Sequence, residues 1–148
     1  MGVQAKIKLT IIELLEKFLL RRAEDGFTGT NFQFDIKAET RVSAEQRWII
    51  VLADLTVKEI GKEQVLARLG MACAFELENF DDVLIKQAEN NYIVPPDLEM
   101  LTKTVAISTA RGILFSELRG TYLAGAVLPM LILAPSEPVA PIVVPVSG

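Results

Sequence analysis

The chain has 148 residues, of which 51% are hydrophobic and 23% are charged, so it fits one globular domain and is neither disordered nor collagen-like. Its 15 basic and 19 acidic residues give a net charge of −4, which argues against a protein that binds nucleic acid. One cysteine and no histidine exclude an intrachain disulfide, histidine-based catalysis and most zinc sites. We therefore expect no enzyme, no cofactor and no metal.

The first segment with regular structure, residues 7–22, fits two conformations. Five of its apolar residues follow one side of a helix: Ile11, Ile12, Leu15, Phe18 and Leu19. Thr10 and Glu13 also resemble a helix capping box. The alternation over residues 6–11 instead favours a strand. Charged residues interrupt the apolar run, so it is not a signal peptide, and we expect a cytoplasmic protein.

The next three segments predict an antiparallel meander of strands. Residues 32–41 alternate between apolar and polar side chains, which is typical of a half-exposed strand. The apolar side chains of this segment share one face: Phe32, Phe34, Ile36 and Ala38. Residues 47–60 are rich in β-branched side chains, and residues 64–78 in small ones, with a turn at residues 61–63 between them.

The second half of the chain predicts a loop and then a long helix. Residues 79–96 carry several Asp and Asn residues and a pair of prolines, which indicates a loop with at most one helical turn. From Asp97 to about Arg119 the sequence predicts a helix that is apolar on two sides and therefore has two neighbours, the sheet and another subunit. The uncharged stretch after Arg119 is shorter than the roughly 20 apolar residues of a membrane span.

The C-terminal third resembles the bacterial SecB export chaperone family. Two strings carry the resemblance: Ile113-Leu114-Phe115 with Arg119 four residues later, and LPMLILAP at residues 128–135. The strand segment Leu55-Thr56-Val57 and the turn at residues 61–63 also look like that family, so the resemblance covers residues 30–136.

The resemblance implies an α+β fold, in which a four-stranded antiparallel sheet packs against a long helix in the C-terminal half. Residues 6–22 then become the first strand. Under this resemblance we expect residues 1–136 to form a single SecB-like domain, and the prolines of residues 137–148 predict an extended tail.

The resemblance also implies a holdase, an ATP-independent chaperone that binds unfolded or precursor polypeptides, for delivery to the SecA export motor. It further implies a homo-oligomer, a dimer or a tetramer. Two alternatives stay open: a SecB-like chaperone of a toxin–antitoxin system, and an oligomeric interaction scaffold without clients.

Two sets of residues would carry this function. The peptide would bind to the face formed by Phe32, Phe34, Ile36 and Ala38. In a monomer, however, we expect these side chains to be buried in the core. The oligomer interface would comprise Ile113, Leu114 and Phe115. Two departures from the family matter: residues 136–148 cannot form its second helix, which walls the peptide groove, and Arg68 falls near the acidic residue that the family offers to SecA, which argues against that docking.

Overall fold

A computed structural model describes residues 4–89 and 91–129 and the backbone of residues 142–145. The elements in chain order are β1 (Ile7–Leu19), β2 (Asn31–Ser43), β3 (Trp48–Glu59), β4 (Val65–Leu77), α1 (Phe80–Val83), β5 (Ile85–Ala88), β6 (Asn91–Ile93), α2 (Pro96–Leu118) and β7 (Ile142–Pro145). The prediction of an α+β fold, with a four-stranded antiparallel sheet and a long helix in the C-terminal half, is confirmed. The boundary predicted at residue 136 lies outside the described residues.

The main sheet has the order β1-β4-β3-β2-β7, and its neighbouring strands are antiparallel. The meander of β2, β3 and β4 is therefore confirmed. Gly61, with a φ of 78°, adopts the left-handed conformation in the turn between β3 and β4. The strand β7, which belongs to the predicted tail, adds a fifth strand at the β2 edge.

Residues 7–19 form a strand rather than a helix, and residues 20–22 lie beyond its end. β1 pairs with β4 along its length, and the register shifts at Thr10 and at Leu15 show two β-bulges. A bulge inserts one residue into a strand and so breaks the two-residue alternation of side chains. These two bulges explain why the apolar residues of β1 imitate helical spacing in the sequence.

The core lies between one face of the sheet and α2. The register places Phe34 opposite Val57 and Ile36 opposite Leu55, so their side chains share the face that the helix covers. The helix begins at Pro96, a favourable first helical residue, and packs mainly on β3, with further contacts to β4 and β2. Its buried residues are Leu98, Thr102, Ala106, Ile107, Ala110, Leu114 and Leu118.

The segment between the sheet and α2 contains more structure than the sequence predicts. The single helical turn is confirmed as α1, whereas the β5–β6 hairpin after it was not predicted. The ring of Phe80 is buried and lies 5.0 Å from the ring of Tyr92, which attaches the hairpin to the core. No helix among the described residues is long and apolar enough to cross a membrane.

Candidate functional site

The outer edge of β2 is divided into two parts. Residues 31–34 pair with β7, with Phe32 opposite Val144 and Phe34 opposite Ile142. In the described part of the chain, residues 35–43 have no strand on that side. A free strand edge presents unpaired backbone N–H and C=O groups, so this part of β2 can accept a further extended segment.

The apolar face of β2 is divided in the same way. Phe32, Phe34 and Ile36 are 2%, 0% and 5% exposed and belong to the core of their own chain. Ala38 is half-buried, as are Thr40 and Val42 farther along the same face. The structure therefore brings the four predicted peptide-binding residues onto one face, and it buries three of them in the core, as the sequence predicts for a monomer. Their contact with a peptide stays a prediction.

Beyond Ala38, the face of β2 opens into a cleft with a volume of about 270 Å³. The cleft lies between the end of β2, the strand β6 and the start of α2. Its lining residues are Thr40, Val42, Asn91, Tyr92, Ile93, Val94 and Glu99. The cleft was not predicted from the sequence, although Thr40 and Val42 continue the alternation of β2 and could have indicated it.

A buried carboxylate fixes the loop that leads into β2. Glu59 accepts hydrogen bonds from the backbone N–H groups of Thr28 at 2.8 Å and Gly29 at 2.9 Å and from the Thr28 hydroxyl at 3.1 Å, and it forms an ion pair with Lys62 at 2.8 Å. Burial would raise the pKa of the Glu59 carboxyl, but these hydrogen bonds outweigh it and lower the pKa to about 2. The loop before β2 is therefore held to the β3–β4 turn by a charged group.

The outer face of the sheet, opposite α2, carries charges of both signs. Asp35 pairs with Lys58 at 3.5 Å, and Glu16 pairs with Arg68 at 3.7 Å. These charges surround a depression of about 210 Å³, which is lined by Glu16, Asp35, Lys37, Asp54, Thr56 and Arg68. Arg68 therefore belongs to a surface of mixed charge.

The three helix residues predicted as an oligomer interface differ in exposure. Leu114 is 4% exposed and belongs to the core, Ile113 is partly buried against it, and Phe115 is 49% exposed. Leu114 is thus occupied within its own chain, which corrects the expectation that all three face a second subunit. The interface itself stays a prediction.

Two further side chains, Cys73 and Tyr122, have shifted pKa values. Burial raises the pKa of the Cys73 thiol, which lies within the core. Burial also raises the pKa of Tyr122, whose hydroxyl donates a hydrogen bond to the Leu20 carbonyl at 2.6 Å. Among the described residues, no group of three or more Cys, Asp or Glu side chains is placed to hold a metal ion.

No protein-family model matches this chain, and no curated protein matches it. Among solved structures, the chain is similar to a SecB-like chaperone of Mycobacterium tuberculosis, solved in complex with a ChAD peptide from the HigA1 antitoxin. The two share 13% sequence identity with a TM-score of 0.49, and the alignment covers 88% of each chain.

Proposed function

We propose that this protein is an ATP-independent chaperone that binds extended segments of non-native polypeptides at the outer edge of β2. One observation carries the proposal: residues 31–34 of β2 already pair with β7, an extended segment of the same chain. An edge that accepts one extended strand offers the same kind of backbone donors and acceptors, at residues 35–43, to another. The sequence resemblance to SecB supports the same class of function.

Strand addition suits a protein that binds many different sequences. The backbone hydrogen bonds of an added strand do not depend on its sequence, and alternate side chains of that strand point to one face of the sheet. In this mode the cleft beside Val42 and Ile93 receives apolar client side chains. Each large apolar side chain that becomes fully buried contributes about 1.5–3 kcal/mol. The proposal includes no chemical step and no cofactor.

We do not propose delivery to the SecA motor. Arg68, which forms an ion pair with Glu16, lies near the position at which SecB proteins offer an acidic residue to SecA. A client from a toxin–antitoxin system is compatible with the proposed binding mode, since an antitoxin segment in extended form would use the same edge. An oligomeric scaffold is the competing function, and it predicts no binding of unfolded polypeptide.

The first test uses light scattering from a chemically unfolded model protein as it aggregates, in the absence of nucleotide. We expect the wild-type chain to delay aggregation and Ile93→Asp to need about tenfold more protein for the same delay, because a charge in the cleft opposes burial of apolar side chains. Ile85→Asp is the matched control. Ile85 pairs with Ile93 across the hairpin and is also exposed, but it does not line the cleft.

The second test uses a truncated chain that ends after Ser136 and therefore lacks β7. We expect the affinity for an extended apolar peptide to rise about tenfold, because residues 31–34 then become available for pairing. The same peptide with N-methyl groups on alternate amides should lose this affinity, since it cannot complete the hydrogen bonds of an added strand. Equal binding of both peptides would contradict strand addition, and a wild-type chain that never delays aggregation would favour the scaffold.

A further inference from the structure

Arg47 adopts a backbone conformation that is unusual for its residue type. It is the last residue of the turn between β2 and β3 and has a φ of 60°, and no other non-glycine residue in the described part of the chain has a positive φ. This left-handed conformation is unfavourable for a residue with a Cβ, whereas glycine adopts it without strain. An arginine at this position therefore indicates that its side chain makes contacts that offset the strain.

The guanidinium of Arg47 contacts the segment that follows β4. Its Nη1 forms an ion pair with the Asp81 carboxylate at 3.3 Å, and its Nη2 donates a hydrogen bond to the Glu78 carbonyl at 3.4 Å. Its Cζ lies over the Phe80 ring, 5.7 Å from the ring centroid. An exposed ion pair alone contributes little to stability, but a planar guanidinium that also lies over an aromatic ring holds its partner in one geometry. The turn between β2 and β3 is therefore attached to α1.

Phe80 connects this contact to one wall of the cleft. Its ring is 1% exposed and lies 5.0 Å from the ring of Tyr92. Tyr92 belongs to β6, and residues 91–94 line the cleft. Leu84 and Val94 are buried and fix the two ends of the β5–β6 hairpin, but within its strands only Tyr92 is half-buried. The contact between Tyr92 and Phe80 therefore positions the hairpin between its buried ends.

We propose that Arg47 is a positioning residue that sets the distance between the two walls of the cleft. Its backbone belongs to the hairpin of β2 and β3, which carries Thr40 and Val42 of the wall opposite β6. Its carbonyl also accepts a hydrogen bond at 3.2 Å from the N–H of Leu77, the last residue of β4. Its side chain holds α1 and, through Phe80, the wall that β6 forms. One residue thus joins both walls, although it does not line the cleft.

This inference rests on the proposed function, because the cleft is the place where client side chains would lie. A cleft whose walls are already fixed binds a side chain without the entropy loss of ordering those walls, and this raises the affinity. Without the guanidinium, the β6 wall has to be ordered when the client binds. Arg47 therefore affects client affinity without contact with the client.

Hydrogen exchange of the free protein tests the positioning role. Arg47→Ala removes the guanidinium and keeps the strained backbone, whereas Arg47→Gly removes both. We expect exchange in β5 and β6 to accelerate about tenfold in both variants, and by less in Arg47→Lys, which keeps the charge without the planar group. The urea midpoint of Arg47→Gly should nevertheless lie above that of Arg47→Ala, because glycine relieves the left-handed φ. If Arg47 only stabilised the fold as a whole, hairpin exchange would follow the urea midpoint instead.

Peptide binding tests the consequence for clients. The probe is a fluorescently labelled peptide of about twelve residues in which leucine and serine alternate, since an added strand presents alternate side chains to one face. We expect Arg47→Ala and Arg47→Gly to bind it about fivefold more weakly than the wild-type chain. Arg41→Ala is the matched control and should bind as the wild-type chain does. It removes the same charge from an exposed residue of β2 whose ion-pair partner is Glu39.

The two measurements separate this inference from the proposed function. Unchanged exchange in β5 and β6 of Arg47→Ala and Arg47→Gly would overturn the positioning role, whatever the peptide does. Accelerated exchange with unchanged peptide affinity would overturn the role of Arg47 in client binding. A wild-type chain that binds no peptide would contradict the proposed function, and hydrogen exchange would then still decide whether Arg47 positions the hairpin.

Discussion

The two edge strands of the four-stranded sheet, β1 and β2, differ in how much of their apolar surface is covered. At the β2 edge, the large side chains of the first half of the strand are buried in the core, and β7 pairs with residues 31–34. At the β1 edge, the large side chains are exposed on both faces, and α2 packs mainly on other strands. An edge with its apolar groups already covered suits exchangeable strand addition, whereas an edge with its apolar groups exposed suits a lasting partner.

The largest expected difference between the two edges is the loss of stability when a buried side chain of β2 or an exposed side chain of β1 is replaced by alanine. Phe34→Ala should lower the free energy of unfolding by about 3–5 kcal/mol, because its ring is 0% exposed and its removal leaves a cavity. Ile12→Ala should lower it by less than about 1 kcal/mol in dilute protein, since that side chain is 49% exposed. Urea denaturation of both variants gives the two values, and similar losses at the two positions would contradict the assignment of the edges.

The next effect concerns the carboxylate that holds the loop before β2. The pKa of Glu59 is about 2 in the folded chain, against an ordinary value of 4.5. This depressed pKa stabilises the folded state by on the order of 3 kcal/mol above pH 4.5, and the stabilisation is lost as the pH falls through 4.5 towards 2. Glu59→Gln removes the charge and should remove most of this contribution at pH 7.

The pH dependence distinguishes this charge from a packing effect. Between pH 6 and pH 3, wild-type stability should fall more steeply than the stability of Glu59→Gln, because the variant has no group to protonate at this position. Denaturant titrations at several pH values measure both slopes. Parallel curves would show that the ion pair with Lys62 and the N–H donors of Thr28 and Gly29 do not hold the carboxyl in its charged form.

Alternation and turn residues predict the meander well, because each of β2, β3 and β4 carries a local signal that agrees with its burial. The strand β1 is different. Its bulges disturb the alternation, and only pairing with β4 decides between strand and helix. The resemblance to SecB favoured a strand for this segment, whereas the local pattern alone left strand and helix open.

The candidate site is less predictable than the fold. The alternation of β2 identifies the shared face of Phe34 and Ile36, but it cannot show that the helix covers one half of that face and leaves the other half open. The hairpin that completes the cleft is a short pair of strands within a polar segment. The pairing of β7 with residues 31–34 is a contact between distant parts of the chain, and no local pattern indicates it.

The smallest expected effect on stability concerns a hydrogen bond at the end of β1. The Tyr122 hydroxyl donates a hydrogen bond to the Leu20 carbonyl, directly after the last residue of the strand, at 2.6 Å. Tyr122→Phe keeps the ring, which packs edge-on against Phe27 with 5.5 Å between the ring centroids, and should cost about 1 kcal/mol. Because the lost bond anchors only this end of the strand, hydrogen exchange should accelerate near Leu19 and stay unchanged in β2. Tyr92→Phe, the same change beside the cleft, is the matched control and should leave β1 protection unchanged. Equal acceleration at both edges would show that the two ends of the sheet open together rather than independently.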